Sequence, residues 1–216
     1  MRLPFRHAVS MLLVAFILNC FQAARVSAEE NWSSVEKARQ DWAVLKYKTD
    51  KSQQILAFEA LNDYLDTEMK QNPNNPSLLA WRGTVLSTYA NLKGGLGAVK
   101  VLEEAKGYLE QSIALDETAE QGLAHVILGA LYYKAPGWPI SFKDNKEAMK
   151  HLERGLILNP TGIEANYFYG DYWKVQGDKM KARRYLTAVL SAPVRDNHII
   201  ADEGRRQEAE QALKAL

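Results

Sequence analysis

The chain has 216 residues, 47% of them apolar, with 27 basic and 26 acidic side chains. That apolar content is enough for the core of one domain or one short solenoid, and it excludes a disordered chain. The two signs of charge are interspersed, as in Lys100 to Lys106 and Asp202 to Glu210. This excludes the basic stripe that phosphate neutralisation requires, so no nucleic-acid partner is expected.

At the amino terminus, Arg2 and Arg6 precede an apolar run from Ala8 to Leu18, and Val26-Ser27-Ala28 has the small-residue pattern that a signal peptidase cuts after. The run is shorter than the ~20 residues a membrane span needs. Residues 1–28 are therefore expected to be a cleaved secretory signal, with retention as an anchor the alternative, and no stable membrane span is expected after cleavage. Cys20 closes the run, but Ile17-Leu18-Asn19 puts an asparagine where a lipoprotein signal carries a small residue, which disfavours lipid anchoring at Cys20. Cleavage near Ala28 implies a periplasmic or secreted chain with 24 basic and 26 acidic residues, a net charge of −2. It also removes the only cysteine, and with it disulfides, thiolate metal sites and cysteine nucleophiles.

Beyond the signal, apolar residues recur at helical spacing. Residues 33–48 and 50–71 read as a first helical hairpin, with Ser33 or Ser34 and Asp50 as caps. Hairpins at about 77–115, 119–158 and 163–190 follow, and a helix from about 200 to 216 closes the chain. Its face of Ala209, Ala212, Leu213 and Leu216 suits a cap, with the charges of Asp202 to Glu208 read as a solvated face with local ion pairs, a charged functional site being the alternative.

The stretch from Gly122 to Leu190 carries one internal pattern twice: Gly129, Tyr132, Ala148, Leu152, Pro160, then Gly170, Trp173, Ala182, Leu186, Pro193. Gly83 and Ala105 extend it upstream. A glycine on one helix and an alanine on the next let two backbones approach, the leucine fills the space beside them, and proline ends the second helix. This pattern resembles the tetratricopeptide repeat, which implies an all-α, right-handed superhelical solenoid of about four hairpins plus a capping helix. Against the interval from Gly170 to Ala182, Gly129 to Ala148 is seven residues longer, and Gly83 to Ala105 is longer still. Both repeats are expected to bulge at the same rim, the first through the glycine-rich turn Lys93 to Ala98 and the second through Ala135 to Phe142.

The resemblance also implies which residues face the concave side: Ala80, Thr84 and Ser87; Leu123, Val126, Ala130, Tyr133 and Lys134; Glu164, Tyr167, Phe168, Asp171 and Lys174. Such an aromatic, hydroxylic and charged lining suits a protein or peptide partner, or a small polar-apolar molecule. Candidate binding residues are Tyr133, Lys134, Trp138, Phe142, Tyr167, Asp171, Lys174 and Arg82. Trp138, fixed between Pro136 and Pro139, either plugs the groove or walls a pocket with Phe142, opposite Tyr133 and Tyr167. Arg82 either pairs with a carboxylate, reaches water along its stem, or offers a positive group to an anion. Glu164 and Asp171 stand two turns apart on one helix and read as solvated rather than as a catalytic pair. His125 reads as a packed core residue, and no cofactor, metal set or enzyme motif is recognised.

The export signal, helical hairpins, proline-flanked tryptophan and final charged helix together resemble small periplasmic tetratricopeptide proteins of Gram-negative bacteria. They are similar, more loosely, to the T component of TRAP-type transport systems, although the lipid anchor of that component has no counterpart in this sequence. The expected function is a non-catalytic binding or scaffold protein that recognises a partner through its concave face. The alternative is a small-ligand-binding component beside a transport system.

Overall fold

A computed structural model describes residues 33–137 and 140–216; the expected signal, Cys20, the Ala28 cleavage site and Trp138 lie outside them. All regular structure among the described residues is helical. The helices are α1 (33–47), α2 (Lys51–Gln71), α3 (Pro76–Lys93), α4 (Gly95–Asp116), α5 (Leu123–Lys134), α6 (Asn145–Leu158), α7 (Ile163–Val175), α8 (Lys179–Ser191) and α9 (Ile199–Lys214). Short 3₁₀ turns at Ala119–Gly122 and Asp196–His198 precede α5 and α9. Side-chain oxygens at the helix starts satisfy backbone donors that have no intrahelical partner. Asn75 accepts from Leu78, Asp144 from Lys146 and Glu147, and Asp178 from Lys181. Asp50 precedes α2 but makes no capping bond.

Consecutive helices pack as pairs, α3 on α4, α5 on α6 and α7 on α8, and each pair repeats one contact. A Cβ added to Gly83 would fall 2.5 Å from Leu109 Cγ; at Gly129 it would fall 2.7 Å from Leu152 Cγ, and at Gly170 2.9 Å from Leu186 Cγ. Ala105, Ala148 and Ala182 lie one turn before those leucines and are fully buried.

The two long intervals take different forms. Between α5 and α6 the described residues, 135–137 and 140–144, form no helix, and the connection is tied back by Asp144 N–H donating to the Tyr132 carbonyl. Between α3 and α4 there is no bulge, which corrects the expected turn from Lys93 to Ala98. Gly94 at φ 62° and Gly95 at φ 67° adopt conformations open to glycine alone at low cost, so the chain reverses in a single residue. The surplus becomes helix instead: α3 and α4 have 18 and 22 residues, against 12 and 14 for α5 and α6.

The first helices of the pairs touch in series, α3 to α5 to α7, and α7 touches α9. Helix α1 then bridges the ends. Trp42 Nε1 donates to Thr88 Oγ1 on α3 at 2.9 Å, while Lys46 pairs with Glu208 on α9 at 3.0 Å. Gly204 lets α9 meet α1 closely, since an added Cβ would sit 2.4 Å from the Tyr47 ring. The five helices α1, α3, α5, α7 and α9 thus form a closed ring. The expectation of a solvated charged face on the last helix is corrected at Asp202 and Arg205, which keep 1% and 3% of their surface. α9 buries one face, Ala209 and Ala212, against Ile163, Leu186 and Val189, and turns these two charges inward.

Candidate functional site

Two partly open cavities lie inside the ring and share Ile127 and Arg205 in their walls. The smaller, about 380 Å³, is lined by Arg39 and Trp42 of α1, Trp81 and Thr84 of α3, Val126 of α5, Glu164 of α7 and Arg205 of α9, with Glu120, Arg195 and His198 from the 3₁₀ turns and their flanks. Its rim includes Glu120 and Gln121, held at φ 49° and 56°. Adjacent non-glycine residues in the left-handed region are strained, and tertiary contacts hold them there. Trp81 Nε1 donates to Glu120 at 2.9 Å and Asn159 Nδ2 donates to Gln121 at 2.8 Å.

The larger cavity, about 440 Å³, lies towards the other ends of the same helices. Lys46, Lys134, Arg205 and Glu208 supply its charge; Ser87, Thr88 and Asn91 supply neutral polar groups. Val99, Leu102, Leu131, Pro136 and Phe168 supply apolar surface. Both departures from the repeat reach this cavity: Gly94, Gly95, Ala98 and Val99 from the lengthened hairpin α3–α4, and Ala135 and Pro136 from the connection after α5.

The carboxylates in and behind the cavity walls are engaged. Asp171 accepts from Tyr133 OH at 2.6 Å and pairs with Lys134 at 2.7 Å. Burial works against its charge, but Lys134 and Tyr133 hold it below the usual carboxylate range. Glu164 pairs with Arg195 at 2.9 Å, which likewise keeps it ionised despite burial. Both corrections to the expected solvation of Glu164 and Asp171 have one physical reason: residues remote in sequence, Arg195 and Lys134, fold over them. Burial, and then the neighbouring Arg205 charge, push the Lys46 ammonium down to about 7 in spite of Glu208.

The other expected site residues fall in several places. Tyr167 and Phe168 face Arg205, whose guanidinium carbon is 4.5 and 4.8 Å from their ring centres. Phe142 lies elsewhere, packed edge-on to Tyr132 at 5.7 Å, with Lys106 near both rings, so it does not share a pocket with Tyr167. Lys174 is half-buried on α7. Arg82 takes the carboxylate-pairing role: Nη1 donates to the Asn62 carbonyl at 3.0 Å and Nη2 lies 2.8 Å from Asp66. It is a strut between α2 and α3, outside both cavities. Sequence reasoning did not identify Arg39, Trp42, Lys46 and Arg195, and it set Arg205 and Glu208 aside with the solvated charges of Asp202 to Glu208. They come from α1, α9 and the segment before α9, which lie outside the repeat pattern.

A second cluster lies on the outer side. His125 and His151, 26 residues apart on paired helices, place their Nδ1 atoms 2.9 Å apart, with Tyr132 stacked on His151. One ring donates and the other accepts, so both cannot be protonated. Burial first, then His125 and Lys150, push His151 down to about 4. Because its unfolded value is about 6.5, the stability it contributes is complete above that pH and is lost as pH falls towards 4. We expect a loss on the order of 2 kcal/mol at pH 5 from this group. His198 titrates in the same window, so the measurement is the difference between wild type and His151→Gln in melting temperature from pH 7.5 to 5. Parallel curves would refute it.

No protein-family model and no curated protein matches this chain.

Proposed function

We propose that this chain is an exported tetratricopeptide-like binding protein that holds a small ligand inside its helical ring and performs no reaction on it. The observation that carries the reading is the contact of α1 with α9 through Tyr47 and Gly204, which covers the inner wall of α3, α5 and α7. Two partly open cavities of small-molecule size remain inside it. A peptide or partner helix docks along a face open over several helices, so the ring favours the small-ligand alternative, including a component working beside a transport system, over a protein-interaction groove. Support for the superhelical repeat is the glycine–leucine contact recurring in three successive pairs; support for export is the sequence of residues 1–28. The absence of catalysis rests on the carboxylates. Glu164, Asp171 and Glu208 are each held ionised by a partnered cation, and so are weak bases.

The test is a titration with the uncharged dye N-phenyl-1-naphthylamine, on the wild-type chain and on Tyr47→Cys/Gly204→Cys, where an oxidised disulfide ties α1 to α9. Saturable one-site binding that survives the tie is expected. No saturable binding, or binding lost when the ring is tied, would overturn the reading in favour of an opening groove.

A further inference from the structure

The larger cavity is chemically two-sided. Helices α1 and α9 bound one side with Lys46, Arg205 and Glu208, joined by Lys134 from the end of α5. Val99, Leu102 and Leu131 bound the other. We infer that this cavity binds a small amphipathic anion, its charged head among Lys46, Lys134 and Arg205 and its apolar body against the α4–α5 wall. The inference rests on the small-ligand reading and names the chemistry of the ligand.

Its basis is an imbalance of charge in the cavity wall. The cavity wall has three cations and one carboxylate, Glu208; Asp171, behind the wall, engages Lys134. Arg205 is almost wholly buried, and the carboxylate it pairs with among the described residues is Glu208. A guanidinium and two ammoniums set against one carboxylate leave a positive wall that suits an oxyanion. The apolar side is equally particular. Extra turns of α3 and α4 and the connection after α5 are the two places where the chain exceeds its own repeat, and both end at this cavity. Protonation is coupled to occupancy: burial first, then Arg205 and Lys134, depress Lys46 and Glu208 opposes them, so an anion beside Lys46 favours its charged form and binding takes up a proton.

The experiment compares 8-anilino-1-naphthalenesulfonate with uncharged N-phenyl-1-naphthylamine, in fluorescence titrations of the full chain, Lys46→Gln and Lys134→Gln. The sulfonate is expected to bind at one site and to weaken roughly tenfold or more in Lys46→Gln, the range for losing a charge-assisted contact. A smaller loss is expected in Lys134→Gln, whose side chain is half exposed, and this variant keeps the test decisive should Lys46→Gln unfold. The uncharged dye is expected to bind both variants as it binds wild type. Sulfonate affinity of the wild type should also fall as pH rises from 6.5 to 8.5, and that dependence should vanish in Lys46→Gln. Equal binding of both dyes with no effect of either lysine would overturn the anion inference and leave the small-ligand reading intact; saturable binding of neither dye would remove both.

Discussion

Replacing Asp202 by alanine should lower folding stability by about 3 kcal/mol, read as a shift in the denaturation midpoint at unchanged slope. Asp202 keeps 1% of its surface and accepts from Arg195 three ways: Nη2 at 2.5 Å, Nε at 3.1 Å and the backbone N–H at 3.3 Å. Arg195 in turn holds Glu164, so one arginine links α7, α9 and the turn between α8 and α9. Removing one member of a buried pair strands the other, at a cost of roughly 3–5 kcal/mol. The lower end applies because the Arg195 side chain is 27% exposed and keeps some water. Asp202→Asn retains the shape and should cost less. A change within about 0.5 kcal/mol, as for a surface charge, would mean that α9 is not seated on α7 through this pair.

Gly129→Ala should destabilise by roughly 1–3 kcal/mol, whereas Gly107→Ala should stabilise by about 0.5–1 kcal/mol. Both glycines lie within helices, and the usual rule favours alanine at each. At Gly107 an added Cβ meets nothing within 4 Å. At Gly129 it falls 2.7 Å from Leu152 Cγ and 3.0 Å from the Leu152 backbone nitrogen; the side chain could turn away, but the backbone of α6 could not without separating the pair. Thermal or urea denaturation of the two variants gives the signs directly. Equal signs would show that the close helix approach at Gly129 is not what holds α5 to α6.

The helical character of the chain was legible from apolar spacing, as at Phe58, Leu61 and Leu65, because a helix that buries one stripe must repeat that stripe every 3.6 residues; Ile55, in the same expected series, is exposed. The glycine positions were legible for a related reason: a close helix approach excludes every larger side chain, so it leaves a compositional mark. Irregular and helical insertions leave no such distinction. The surplus after Gly83 and that after Gly129 have similar turn-rich composition, yet the first is absorbed as extra turns because two glycines at positive φ reverse the chain at once.

By itself, the sequence determined the all-helical architecture and the small residues on which the helix pairs close, since both follow from local periodicity and side-chain size. Tertiary structure alone decided that the first and last helices meet. That contact depends on Tyr47 facing Gly204 across more than 150 residues, and charge placed inward on α9 looks, along the chain, like any solvated face. Whether Arg205 reaches water or lines a cavity is set by what packs against it, not by its neighbours in sequence.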